Sequence, residues 1–335
     1  MTALLAELLG SATDHRLSGP PPWSTHIADD HTPVEYSVSF EDKKAPTLRV
    51  MVETIAPVPG IGTNTAAAEQ LLSSLAVRFG LCLDRFDRIR DLFLNNPRGR
   101  FGLWFSAIFR PGSPPRFKAY FDPEAAGPDM APALVSEALS RLGLHQAYAL
   151  VADHALRRAG QDRLSFFSLD LHRDAASRVK VYVSYDDAGV RSALLAAAAV
   201  PSANPDLVRA FCALLGEGIS VFGGRPLISS YTFTEANAAA PATYSLYLPI
   251  RAFVPDDQTA RDRVRALLDR HGIDRSVFDR ALAEVSDREL RDGVGLIPHV
   301  ALRTGTVRPG ITVYLSAEAY STTPARARFD QLAHA

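Results

Sequence analysis

Only two cysteines, Cys82 and Cys212, occur in the 335 residues. Two thiols in separate apolar, helix-like stretches make neither a disulfide framework nor a zinc-ligand pattern, so both are expected as buried free thiols. An excess of either charge is also missing, because 36 Lys and Arg stand against 37 Asp and Glu for a formal net charge of -1. Neither nucleic acid nor an anionic membrane is therefore expected as a partner, and any anion site must be local. No run approaches the length of a membrane span, and the N-terminal MTALLAELLGSATDHRL has no basic n-region and too short an apolar run for a secretory signal. The expected location is the cytoplasm. The acidic pairs Asp29/Asp30, Asp186/Asp187 and Asp256/Asp257 each lack the third carboxylate of a DDxxD metal-binding run and read as turn or helix-cap residues. PGIGTN follows a strand-like run, yet it lacks the GKS/T of a Walker loop and the third glycine of a dinucleotide loop.

What is present is a core-forming composition, 47% hydrophobic, arranged as a repeat. Short alternating or β-branched runs come in pairs: 33–40 with 47–54, 101–110 with 116–122, 164–171 with 178–185, 228–234 with 243–251, and 297–304 with 310–316. Most of the intervening turns carry Pro, Gly, Asp or Asn. Between pairs the period becomes helical, as in AAAEQLLSSLAVRFGLCLDRFDRIRDLFL and PDLVRAFCALLGEGISVF. First strands recur about every 63 to 69 residues, which implies five ααββ units with the first unit's helices shortened. Ten antiparallel strands left open would expose two edges and one face, so the sheet is expected to close. A ten-strand barrel is wider than the size that side chains just fill, and its lumen can be a solvent-filled chamber. The expected fold is α+β, a closed ten-strand antiparallel barrel surrounded by helices, with 1–335 as a single domain. GPPPW at 19–23 reads as a surface connection.

The second strands show what faces that chamber. SRVKVYVSY puts Arg178, Lys180 and Tyr182 on one face and Val179, Val181 and Val183 on the other. RFKAYF repeats this with Arg116, Lys118 and Tyr120; TYSLYL gives Ser245 and Tyr247; ITVYLS gives Thr312 and Tyr314; and TLRVMVE gives Arg49, Met51 and Glu53. HVALRT adds Arg303. With the valines and phenylalanines against helices, the polar phase lines the chamber. Cations on neighbouring strands suit a polyanion such as a diphosphate, each Arg or Lys adding charge-assisted hydrogen bonds. Tyrosine faces stabilise positive charge. Anion binders beside cation binders suit a bond that ionises into diphosphate and a carbocation. Glu53 would accept the proton of the capturing nucleophile, the alternative being a structural salt bridge to Arg49 or to a neighbouring strand. Trp104, Phe105, Phe166, Phe167, Tyr231 and Phe233 are candidate walls, half of them packing against helices instead.

These residues resemble the aromatic prenyltransferases of the ααββ barrel type, in the dimethylallyltryptophan synthase (indole prenyltransferase) branch. LSFFSLDLHRDAASRVKVYVSY is similar to that branch's third-unit hairpin, while RFKAYFDP, YSLYLPIR and VMVETIAP match more loosely. The resemblance runs from about Asp29 to Tyr320 and implies transfer of a dimethylallyl group from dimethylallyl diphosphate to an indole, usually tryptophan, with no cofactor and no essential Mg²⁺. It implies diphosphate binding by Lys118, Arg178, Lys180 and Arg303, to which Arg116 is added by its phase. Tyr120, Tyr182, Tyr247 and Tyr314 would shield the allyl cation, and Glu53 would take the indole N–H proton. Arg49, Met51, Trp104, Ser245 and Thr312 complete the expected lumen, and the expected partners are the prenyl diphosphate and a small aromatic acceptor. Fungal members have a further diphosphate-binding arginine where GIGTNTAAAEQ offers none, and a glutamine where Ser245 stands. A tyrosine, phenolic, phenazine or peptide acceptor on the same fold, or a non-catalytic barrel that binds an anionic small molecule, are the competing readings.

Overall fold

The computed structural model describes residues 2–174 and 176–326; Met1 and 327–335, the two ends of the expected 1–335 domain, lie outside the described residues. Each unit supplies one hairpin to the barrel. The first has α1 (Thr2–Leu9), β1 (Val34–Glu41) and β2 (Thr47–Glu53). The second has α2 (Ile61–Phe79), two single-turn helices α3 (Asp84–Asp87) and α4 (Arg90–Leu94), β3 (Leu103–Phe109) and β4 (Arg116–Phe121). The third has α5 (Ala131–Arg141), α6 (Ala147–Ala155), β5 (Asp162–Asp170) and β6 (Val179–Tyr185). In the fourth, the two-residue strands β7 (Ala188–Gly189) and β8 (Val221–Phe222) flank α7 (Val190–Ala197) and α8 (Pro205–Gly216), ahead of β9 (Leu227–Phe233) and β10 (Thr243–Leu248). The fifth has α9 (Asp257–Arg270), α10 (Ser276–Val285), β11 (Val300–Thr304) and β12 (Gly310–Ser316).

Ten strands close in the order β1-β12-β11-β10-β9-β6-β5-β4-β3-β2, every pair antiparallel, with β7 and β8 as a separate ribbon. The closing seam joins the first strand to the last, pairing Ser37 with Tyr314 and Glu35 with Ser316. Valines 179, 181 and 183 are fully buried between the sheet and the helices, in a core shared with Phe105, Phe117, Phe121 and Phe167. Alternation then sends their neighbours into the lumen. A bulge at Ser165 breaks this rhythm in β5, because Leu164 pairs with Val183 and Phe166 with Tyr182. The extra residue lets Leu164 pack outside while Phe166 faces inward.

Helix ends follow local chemistry. Asn204 accepts from the Asp206 and Leu207 amides ahead of Pro205 at the first turn of α8, and Asp256 caps α9 by accepting from the Thr259 amide. Its neighbour Asp257 departs from the expected turn role. It is fully buried and accepts from the backbone amides of Gly295, Leu296 and Ile297. The helical stretch after β2 divides at Gly80, in the left-handed region at φ 63°, so Cys82 sits half-buried in a loop rather than in a helix; Cys212 is buried in α8. In the stretch with helical period from Pro205 to Phe222 the helix ends at Gly216, and Val221 and Phe222 turn back to pair with Gly189 and Ala188. No helix among the described residues is long and apolar enough to cross a membrane.

Candidate active site

A cavity of about 330 Å³ fills the barrel. Arg49, Lys118, Arg178, Lys180 and Arg303 line it, together with Met51, Trp104, Tyr120, Tyr182, Ser245, Tyr247, Thr312 and Tyr314. Arg116 does not. Its side chain, 46% exposed, stands at the barrel mouth and donates to Asp174 at 3.0 Å on the turn after β5. The physical reason is register, since Arg116 opens β4 one repeat beyond the last chamber-facing residue. Arg49 takes its place in the ring of five cations.

That ring is built around one carboxylate. Asp170 lies opposite Lys118 in the β4–β5 ladder and accepts from Arg178 through Nε at 2.7 Å, Nη2 at 3.3 Å and the backbone amide at 3.1 Å. The Lys118 ammonium is 3.4 Å away on the other side. Burial works against the Asp170 charge, but Lys118 and Arg178 overcome it and hold the carboxyl well below its usual range. Lys118 itself is 4% exposed, and burial pushes its ammonium down to about 8 despite Asp170. Lys180 is pushed well below the usual lysine range, by burial first and then by the charges of Lys118, Arg178, Arg49 and Arg303. Among the described residues no carboxylate pairs with Lys180, whose ammonium donates only to Ser230 Oγ at 3.5 Å. Arg303 donates to Glu41 at 2.5 Å, and its Nε is buried without a partner. Across the ladder stands Gly310, where a Cβ would come within 2.9 Å of the guanidinium, so this glycine makes room for it. Five cations with two carboxylate partners, Asp170 and Glu41, form a site completed by a bound polyanion.

Four tyrosines stand beside the cations in a continuous arc. Ring centroids are 6.2 Å apart from Tyr120 to Tyr182, 5.9 Å from Tyr182 to Tyr247 and 6.0 Å from Tyr247 to Tyr314. The Lys118 ammonium lies 5.8 Å from the centre of the Tyr120 ring, and the Lys180 ammonium 5.8 Å from that of Tyr182. Burial raises Tyr120 to about 12 and Tyr182 and Tyr314 well above the usual phenol value, so all three stay neutral and present faces and hydroxyls.

The remaining wall is apolar. Ile27, Phe101 and Trp104 cluster with Met51, Tyr120 and Phe166, and Trp104 stacks on Phe101 at 3.8 Å. Of the six aromatic wall candidates only Trp104 and Phe166 line the cavity; Phe105, Phe167, Tyr231 and Phe233 are buried on the helix side. Glu53 lies beside this wall, opposite Trp104 in the β2–β3 ladder. Its carboxylate is 2% exposed and does not border the open cavity, because Trp23 Nε1 donates to it at 3.1 Å, Thr25 Oγ1 at 2.5 Å and Asn64 Nδ2 at 3.4 Å. Burial raises its pKa and these bonds oppose the rise. All three donors are neutral, which leaves no salt bridge to Arg49. The GPPPW stretch is thus more than a surface connection, since Trp23 reaches inward to the acid.

The model of the tryptophan dimethylallyltransferase family matches residues 1–194. The chain belongs to this family. Among solved structures it is similar to 6-dimethylallyltryptophan synthase from Micromonospora olivasterospora in complex with DMASPP and Trp, at 48% identity over 96% of this chain and 92% of that one, with a TM-score of 0.91. It is 37% identical to the prenyltransferase PriB in its ternary complex with L-tryptophan and dimethylallyl thiolodiphosphate, covering 97% and 91% of the two chains at a TM-score of 0.89. With 5-dimethylallyl tryptophan synthase from Streptomyces coelicolor, in complex with DMASPP and Trp, identity is 34% over 98% and 91%, and the TM-score is 0.89.

Several residues of this tryptophan dimethylallyltransferase site escape a reading of the second strands alone. Asp170 ends a first strand and becomes visible only through its register with Lys118 and Arg178. Glu35 lines the cavity from β1, where it alternates with Ser37 and Ser39 and no tyrosine marks the face. Trp23, Thr25 and Asn64 reach Glu53 from outside the hairpins, and no local pattern announces such contacts.

Proposed function

We propose that the protein transfers the dimethylallyl group of dimethylallyl diphosphate to the indole of tryptophan without a metal ion. The observation that carries this reading is the juxtaposition, in one cavity, of five cations and an unbroken arc of four tyrosines. Arg49, Lys118, Arg178, Lys180 and Arg303 hold the diphosphate. At about 4 Å and an effective dielectric near 20, each charge pair supplies roughly 4 kcal/mol before desolvation is subtracted. The allylic C–O bond breaks with its electron pair leaving on the diphosphate, and Tyr120, Tyr182, Tyr247 and Tyr314 cover the cation against water. The charge of the leaving group falls to the protein's own cations.

The indole lies against Trp104, Met51 and Phe166 and attacks through a ring carbon. Glu53 accepts from the indole N–H at the acceptor position that the bonds from Trp23, Thr25 and Asn64 leave open. The diphosphate then takes the proton displaced from the ring by the new C–C bond and departs with it. The seam between β1 and β12 supports one domain over 1–335, and the two free thiols suit a cytoplasmic setting. Mass-spectrometric detection of product from dimethylallyl diphosphate with tryptophan, indole, tyrosine and phenolic acceptors, each with and without EDTA, tests the reading. A prenylated tryptophan formed equally with EDTA is expected. Product only from phenolic acceptors, or none with any, overturns it.

A further inference from the structure

Glu35 is a second carboxylate in the chamber with no assigned part in the chemistry above. It lines the cavity from β1, in phase with Ser37 and Ser39, and is 8% exposed. Among the described residues neither a hydrogen-bond donor nor a cation meets its carboxyl, an arrangement that buried acids seldom tolerate. The ladders place it opposite Met51 on one side and Ser316 on the other. Met51 precedes Glu53 by two residues on the same face, so Glu35 is the diagonal neighbour of Glu53, about 7 to 8 Å away by ordinary sheet geometry. It therefore borders the apolar acceptor wall.

The groups around Glu35 leave it without a counter-charge. Burial, with the charge of Asp29 added, pushes its carboxyl up to about 8. Asp29 in turn is paired with Arg225 and Arg251. Tyr314 is neutral, and His299, in a T-shaped contact with Tyr314, is pushed down to about 4 by burial and so is uncharged at neutral pH. A cation brought by the acceptor would be the first to meet this carboxylate.

We propose that Glu35 binds the α-ammonium of an amino-acid acceptor. This rests on the tryptophan reading above and deepens it: with the indole N–H on Glu53 and the ammonium on Glu35, two anchors on one molecule fix which ring carbon meets the allyl cation. The test compares Glu35→Gln with the unsubstituted enzyme on tryptophan and on indole-3-propionate, which lacks the amine. The substitution is isosteric, so a melting curve is expected to show it folded. The KM for tryptophan should rise roughly 10- to 100-fold, the worth of one charge-assisted hydrogen bond, and the positions prenylated should diversify. The KM for indole-3-propionate should stay within about twofold, since that acceptor brings no ammonium to the site. Equal losses with both acceptors, or no change with either, overturn the proposal. If the unsubstituted enzyme turns over neither acceptor, the transferase reading fails by itself. Calorimetric binding of the same two molecules to enzyme and variant then decides Glu35, with loss confined to tryptophan in support and any other pattern against.

Discussion

Asp170 is the carboxylate that joins Lys118 to Arg178 in the cation ring, and Asp170→Asn probes what holds that ring together. In the native protein the side chain takes two hydrogen bonds from the Arg178 guanidinium and one from its backbone amide, and it stands 3.4 Å from Lys118. The amide isostere keeps the shape and removes the charge, so Lys118 and Arg178 lose the anion they share. Breaking a buried pair from one side costs about 3 to 5 kcal/mol. Arg178 retains a quarter of its exposure, which favours the lower figure. A loss of about 3 kcal/mol corresponds to a fall in melting temperature of about 4 °C at this chain size. The pH dependence has a defined sign. Because the folded carboxyl is held below its unfolded value near 4, its contribution is complete above that value and is lost as pH falls through the depressed one, so the variant should show its full deficit at pH 7. Inorganic pyrophosphate supplies the missing anion. In a thermal melt it should therefore recover more stability in Asp170→Asn than in the unsubstituted protein. A variant that melts within about 1 °C of the original, or equal stabilisation of the two proteins by pyrophosphate, would refute the idea that the cations need a counter-ion.

Glu53→Gln should lower kcat with tryptophan roughly 100-fold, and turnover that persists undiminished removes Glu53 from the mechanism. Lys118 binds an anion well only when protonated, and its ammonium sits at about 8, so the KM for dimethylallyl diphosphate should climb as pH rises beyond that value and Lys118→Arg should flatten the climb. A level profile to about pH 9.5 in the native protein counts against the assignment. Tyr182→Leu takes one face from the cation shield, worth roughly 0.5 to 2 kcal/mol or about 2- to 30-fold in rate, and the share of dimethylallyl alcohol formed by water capture should increase. An unchanged alcohol fraction would mean that Tyr182 does not shield the cation.

Alternation made the barrel legible. Val179, Val181 and Val183 against Lys180 and Tyr182 identify both faces of β6, and the recurrence of that pattern in β4, β10 and β12 gives the repeat, the closed sheet and the lining of the chamber. Phase alone does not say how far along a strand the chamber extends, and Arg116, correct in phase, stands outside at the mouth while Arg49 stands within. A bulge is equally silent in the sequence, since Ser165 shifts the rhythm of β5 with no glycine or proline to mark it. Contacts made across the fold were out of reach for a different reason. The bonds from Trp23, Thr25 and Asn64 to Glu53 depend on how the segment before β1 crosses the barrel, which no local spacing encodes.

The seam between β1 and β12 makes the chamber a product of the whole chain. Lys118, Arg178 and Lys180 are synthesised long before Arg303 and Tyr314, and until the last hairpin docks on the first they belong to a sheet with two open edges and no interior. A nascent or truncated chain therefore carries the groups that attract a prenyl diphosphate but has no dry space in which to ionise it. Competence is acquired in a single late event, the pairing of strands from opposite ends of the sequence, and that is the kind of long-range contact that folds slowly.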